Sequence, residues 1–379
     1  MFELCRRLAA AHEVLVLAPH CPGAAREERL GERLTVRRFR YAPGRLESLA
    51  YDGGILEKLR RAPWRHLLVP FFVLAELWAA LRAVRRMRPD VIHAHWMVPQ
   101  GIVGALAALA APGPKRPALV CTSHGADLFA LRGWLARRLK GWVARRADVL
   151  TVVSAAMKPP AMQLGARPEN VRIMPMGVDA QSRFAPAAVP ARAERELLFV
   201  GRLVAKKGVS CLPQMLALVH EKVPGVRLTV VGAGPLDAEL RAEARARGLE
   251  AHLFLAGPVP NEDLPPYYRR ATALVMPSVV TRDGDQEGLG LVIGEALACE
   301  CPVVASALPA IGDLIEDGVT GLLARPGDAR DFADKIVGLL GDPQRAAHLA
   351  RRGRGLVLQR LDWHSVGRGY DELLSAVSA

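Results

Sequence analysis

Short, continuous apolar runs recur along the chain, and each is followed by a longer stretch with helical periodicity. In the first half the runs are EVLVLAP (13–19), DVIHAH (90–95), ALVCTSH (118–124) and DVLTVVS (148–154). In the second half they are ELLFVG (196–201), RLTVVG (227–232) and ALVMPS (273–278). Val and Leu in unbroken runs, without polar alternation, describe strands buried on both faces, as in parallel sheets covered by helices. The pattern predicts an α/β chain of the doubly wound kind. Between the two series lies DAQSRFAPAAVPARAER (179–195), rich in Ala and Pro and without periodicity, which reads as a linker. Two Rossmann-like domains follow, over 1–180 and 195–361, with a last helical stretch over 362–379. The site is expected in the cleft between them, where the C-terminal ends of the strands face each other.

The chemistry concentrates at strand ends. In DGDQEGLGLVIGEALACECPVV (283–304), Glu287 and Glu295 bracket an apolar segment that opens with Gly288 and Gly290. The spacing predicts a loop after ALVMPS and a helix over LGLVIGEALA (289–298), in which eight residues advance about 12 Å. A helix start, with its unpaired N–H groups and partial positive charge, suits a diphosphate. In LLFVGRLVAKKGVSCL (197–212) a strand stops at Gly201, a basic loop follows, and Gly208 opens the next helix. Cations in such a loop can pair with a bound anion, a guanidinium in bidentate fashion. TSHGADLF (122–129) is another strand end with a Gly turn, and VIHAHWMVPQG (91–101) puts His93 and His95 on one strand face. Trp96 and Gln100 are candidates to touch substrate.

Taken together these segments resemble the retaining glycosyltransferases of the GT-B fold, in the large family with an E-x7-E motif that includes bacterial polysaccharide and lipid glycosyltransferases. The matching stretches are EGLGLVIGE (287–295), GRLVAKKG (201–208), HGAD (124–127) and VGAGP (231–235). The resemblance implies two facing Rossmann-like domains. A nucleotide-diphosphate sugar would bind mainly the second, and a glycan or a polyprenyl- or other lipid-linked acceptor the first. Glu287 would hold the sugar hydroxyls, Glu295 the ribose, and Arg202 with Lys207 the diphosphate. His124 and Asp127 would line the sugar from the opposite wall, and Gly201, Gly288, Leu289 and Gly290 would border the donor. It further implies transfer with retention, no protein nucleophile, no cofactor and no metal, although Asp283-Gly284-Asp285 formally matches the D-x-D pattern of another fold. Position 237 is Asp, so the dinucleotide fingerprint G-x-G-x-x-G fails at 232–237. The chain departs from the family pattern at Lys206, often acidic in relatives, and at Met176, Gly290, Glu300 and Asp313. The first strand and Gly-rich loop that usually precede FELCRRLAAAHEVLVLAPH (2–20) are missing. Either the reading frame begins further upstream or the chain is truncated. A truncated, non-catalytic relative that binds nucleotide within a polysaccharide assembly complex therefore stays open as a reading, as does a sugar-nucleotide epimerase.

Composition narrows the partners. The chain has 379 residues, 51% of them apolar, and a net charge of +13. Most of the excess is arginine on helix-like segments with no nucleic-acid motif, so an anionic membrane surface or a phosphorylated substrate is expected in place of nucleic acid, with composition bias as a further source of the arginine. Six cysteines without a C-x-x-C fit a reducing compartment, and no signal peptide is apparent, so a cytoplasmic location is expected. The segment Pro63 to Arg88 carries Trp64, Phe71, Phe72 and Trp78 and ends in a basic cluster. Two readings stand: a helix lying in the interface on the inner face of the membrane, or a core helix of the first domain.

Overall fold

The computed structural model describes residues 1–51, 55–130, 132–187 and 192–378. The proposed linker falls partly outside them, at 188–191. The strands are β1 (Val14–Pro19), β2 (Glu27–Arg29), β3 (Leu34–Phe39), β4 (Val91–His95), β5 (Ala118–Ser123), β6 (Val149–Val152) and β7 (Val171–Ile173). They continue with β8 (Glu196–Val200), β9 (Arg227–Val231), β10 (Leu253–Gly257), β11 (Ala273–Met276), β12 (Val303–Ser306) and β13 (Leu322–Ala324). All seven apolar runs read from the sequence contain one of these strands.

The second half forms one six-stranded, wholly parallel sheet in the order β10-β9-β8-β11-β12-β13. Numbered within the sheet, the order is 3-2-1-4-5-6, with the winding direction reversing between β8 and β11. Ligands of such sheets bind in the crevice at that reversal, outside the strand C-termini. The basic turn 201–208 follows β8, and the Glu-bearing loop follows β11. Neighbouring strands thus deliver cation and carboxylate to one point. Gly208 makes the approach possible: its φ is +65°, and a Cβ there would lie 1.7 Å from the Pro277 carbonyl oxygen.

The first half is built differently. Strands β4-β5-β6-β7 form a parallel sheet, and β1-β3-β2 form a separate one in which β2 runs antiparallel to β3. Among the described residues, β1 pairs only with β3 and β4 only with β5. The helix Trp363–Ser378 packs on Phe2–Leu8 and on β4 and β5. His12 Nε2 to Asp371 Oδ1, 2.6 Å, ties it there, and Trp363 N–H donates to the Val178 carbonyl. The helix Leu68–Met87 buries Phe72, whose ring meets those of Phe39 and Tyr41 edge-on at 5.4 and 5.1 Å. Its inner face is therefore core, while Phe71, Leu74 and Trp78 point outward.

The close packing at Gly208 gives a direct test. Gly208→Ala is expected to lower the urea midpoint by the equivalent of about 2–4 kcal/mol, since it combines a left-handed φ with a backbone clash. An unchanged midpoint would refute the packing described for this turn.

Candidate active site

The centre of the cleft is an ion pair. Lys207 Nζ lies 2.9 Å from Glu287 Oε1, with both side chains about one-tenth exposed. Oε1 finds no well-directed hydrogen bond, so the contact is held by charge. Burial pushes the Glu287 carboxyl up, but Lys207, then Lys206 and Arg202, more than reverse this and leave it below the ordinary carboxylate range. It is an anion at neutral pH. Lys206 sits beside this pair and contacts Asp285 Oδ1 at 3.1 Å. Asp283 accepts from Thr281 Oγ1 at 2.5 Å. The two acids of the D-x-D pattern thus brace the loop. Arg202 is exposed at the mouth of the turn.

Glu295 lies eight residues further on, inside the helix Leu291–Ala298. That helix starts two residues later than the sequence pattern predicts. Gly290 adopts φ +83°, a left-handed cap that keeps 288–290 in the loop. Glu295 accepts hydrogen bonds from Tyr268 Oη at 2.8 Å and Asn261 Nδ2 at 3.0 Å. Burial raises its pKa, against the lowering effect of those two donors. Neither Asn261 nor Tyr268 stands out in the sequence, because each is separated from Glu295 by a strand and carries no motif.

The opposite wall is the His124-Gly125 turn after β5. A Cβ on Gly125 would lie 2.8 Å from the Gly288 Cα, and one on Gly288 would lie 2.7 Å from the His124 carbonyl oxygen. The two halves therefore meet main chain to main chain beside Glu287. Arg132 reinforces the seam by lying over Gly284. On the far side the Ala155 N–H donates to Asp313 Oδ2 at 2.5 Å.

Asp127, expected toward the donor sugar, is buried and takes hydrogen bonds from Met97 N (2.8 Å), Ser123 Oγ (3.0 Å) and His124 N (3.1 Å), so its carboxylate holds the turn that carries His124. Gln100, a candidate for substrate contact, bonds Glu76, whose carboxyl burial pushes up to about 7. Trp96 does border the turn: its ring centroid is 5.2 Å from that of His124, and its φ of +73° is strained for a non-glycine residue.

His124 heads a stack of imidazoles. Its Nε2 is 3.0 Å from His95 Nδ1, and the His95 and His93 rings are 4.3 Å apart. His93 Nε2 in turn meets Thr122 Oγ1 at 2.7 Å. Burial pushes His124 down to about 4, and His93 down to about 4 with help from His124. His95 is lowered well below its usual value, also chiefly by burial. All three are neutral at pH 7. A folded-state pKa below the unfolded 6.5 means the unfolded chain binds more protons between pH 6.5 and 4. Stability from the stack is therefore full above pH 6.5 and lost as pH falls towards 4. Urea midpoints measured from pH 7.5 to 4.5 are expected to fall less steeply for His93→Asn than for the native chain. Parallel pH profiles would contradict the assignment.

With this geometry established, comparison with known proteins is informative. Residues 1–182 match the family described as Glycosyltransferase Family 4, and 194–342 the one described as Glycosyl transferases group 1. The chain is 31% identical over 353 residues to a GDP-mannose-dependent alpha-(1-6)-phosphatidylinositol monomannoside mannosyltransferase of Mycolicibacterium smegmatis, covering 88% of this chain and 89% of that one. It is 31% identical over 292 residues to a glycogen synthase of Mycobacterium tuberculosis, covering 74% and 67%. Among solved structures, sucrose-phosphate synthase from Thermosynechococcus elongatus superposes with a TM-score of 0.79 at 26% identity, over 99% of this chain and 92% of that one. Anabaena HepE, solved with UDP and glucose, gives 0.75 at 23% identity over 99% and 95%, a likeness of fold alone. The facing α/β domains, the crevice and these relatives agree: the chain belongs to the group 1 glycosyltransferases and has their GT-B fold.

Proposed function

We propose that the chain is a retaining hexosyltransferase that moves a sugar from a nucleotide-diphosphate sugar to a glycan or lipid-linked acceptor in polysaccharide or glycolipid synthesis. The observation that carries the reading is the Lys207–Glu287 pair at the strand reversal, set against the His124 turn. Such a pair offers one cation and one anion at the place where a donor carries an anionic diphosphate and a polyhydroxylated ring.

In this reading Lys207 and Arg202 take the diphosphate and stabilise the charge that grows on it as the glycosidic bond breaks. The two cations supply that stabilisation without a metal. Glu287, freed from Lys207 as the phosphates bind, accepts hydrogen bonds from the sugar hydroxyls. Glu295, aimed by Tyr268 and Asn261, accepts from the ribose. Neutral His124 lines the sugar from the other wall and adds no positive charge of its own there. Gly201, Gly288, Leu289 and Gly290 border the donor with backbone. The acceptor attacks from the face the diphosphate leaves, and a donor phosphate oxygen takes its proton, so the configuration is kept. Contact across the seam excludes water, which would otherwise hydrolyse the donor. In this reading the protein works on the cytoplasmic side, peripheral to the inner face of the membrane.

Glu287→Ala is expected to reduce turnover by about a hundredfold or more while the circular dichroism spectrum stays native. Native turnover in that variant would remove Glu287 from the site. A panel of UDP-, GDP- and ADP-sugars is expected to yield one that raises the melting temperature by mass action. The double variant Arg202→Ala/Lys207→Ala should bind the matching nucleoside diphosphate at least about a hundredfold more weakly in calorimetry, each charge-assisted bond being worth about 1.5–3 kcal/mol. Equal affinity would refute the diphosphate assignment. An NMR spectrum of the product showing an inverted anomeric centre would refute retention.

A further inference from the structure

The two halves of the molecule differ in what they show to solvent. Between residues 196 and 361, the large apolar side chains exposed among the described residues are Phe254 and Val280 alone. The first half exposes many more, and most lie on one layer of helices. Helix Leu68–Met87 packs on Ile102–Leu109, which packs on Trp134–Arg146. Along the first of these, Leu67, Phe71, Leu74 and Trp78 recur at helical spacing and are 60–72% exposed. Leu109 continues the surface on the second helix, and Trp134, 74% exposed, on the third. Solvated domains seldom leave so large an apolar area uncovered.

The charge on this layer has one sign. The segments Pro63–Met87, Ile102–Leu109 and Trp134–Arg146 carry nine Lys and Arg against a single carboxylate, Glu76. Glu76 is buried, so every exposed charge on the layer is positive. Arg65 lies over the Trp64 ring at 5.7 Å and Arg146 over Trp142 at 4.7 Å. Between the second and third helices runs a groove of about 750 Å³. Leu106, Leu139 and Trp142 line it together with Arg137, Arg138 and Arg145, and among the described residues no carboxylate does. By length and composition Pro63–Met87 would suffice to cross a bilayer. With Phe72 and Val84 packed into the domain, it lies along the surface instead.

We infer that this three-helix layer is a docking face for an anionic phospholipid bilayer, and that the groove takes the head region and first chain segments of one anionic lipid. Apolar side chains enter the acyl boundary, and the arginines meet the phosphates. The charge selects this occupant: a second copy of the same cationic face would repel it. The face also adjoins the cleft, because Arg132, just before the third helix, lies over Gly284 of the donor-side loop. Docking therefore sets the cleft mouth beside the membrane, where a lipid-linked acceptor is held. This last step rests on the transferase reading, whereas the docking itself does not.

Sedimentation of the full chain with phosphatidylcholine vesicles, with and without about 30% phosphatidylglycerol, tests the inference. Binding is expected with the anionic vesicles and at least about tenfold weaker with the neutral ones. It should fall about tenfold further in Phe71→Ser/Leu74→Ser/Trp78→Ser, and by a similar factor in Arg137→Glu/Arg138→Glu, with nucleoside-diphosphate affinity unchanged in both. Equal binding to both vesicle types, or undiminished binding by either variant, would overturn the proposal. So would a vesicle-free dimer that the triple variant converts to monomer, which would make the face an interface between copies. Vesicle binding in a chain that binds no nucleotide sugar would sink the enzyme reading and leave this one standing.

Discussion

The ion pair of Lys207 and Glu287 is the interaction around which the second domain is organised. Withdrawing two charges from water is expensive, and losing one partner of such a buried pair costs about 3–5 kcal/mol because the other is stranded. The fold meets that expense by placing β8 next to β11, pressing the Gly208 turn onto Pro277, and adding Lys206 and Arg202 to the field around the carboxylate. With Lys206 paired to Asp285 and Lys207 to Glu287, Arg202 is the further cation whose charge acts on this carboxylate.

How much of this the sequence reveals depends on how local each determinant is. Unbroken Val/Leu runs announce parallel strands, because burial on both faces removes alternation, and the α/β class follows from them. The relation between Gly201, the lysines and Glu287 is also legible, since each lies within a few residues of a strand end. What stays hidden is set by contacts across the fold. Tyr268 and Asn261 reach Glu295 from another helix and turn, and nothing in PNEDLPPYYRR (260–270) marks them. Asp127 has a motif that points to the cleft, while the three donors that make it a brace for the turn are visible only in the fold. The helix starts at Leu291 because Gly290 takes the left-handed state, which composition does not reveal.

The two domains divide their tasks along physical lines. The second is closed, with a complete six-stranded sheet, a sealed surface and a preformed set of charges. The first has two separate sheets, a neutral imidazole stack at its cleft edge and an apolar, cationic flank. Under the proposed function the closed domain would take the small donor and the irregular flank the larger partners. The terminal helix Trp363–Ser378 joins the two by leaving the second domain and packing on the first.

The meeting of Gly125 with Gly288 has a mechanical consequence. Interlocked side chains resist lateral displacement, because each must leave its socket before it can move. Bare backbone has no such teeth, so lateral resistance here falls to the polar ties beside it, Arg132 over Gly284 and the Ala155 N–H on Asp313.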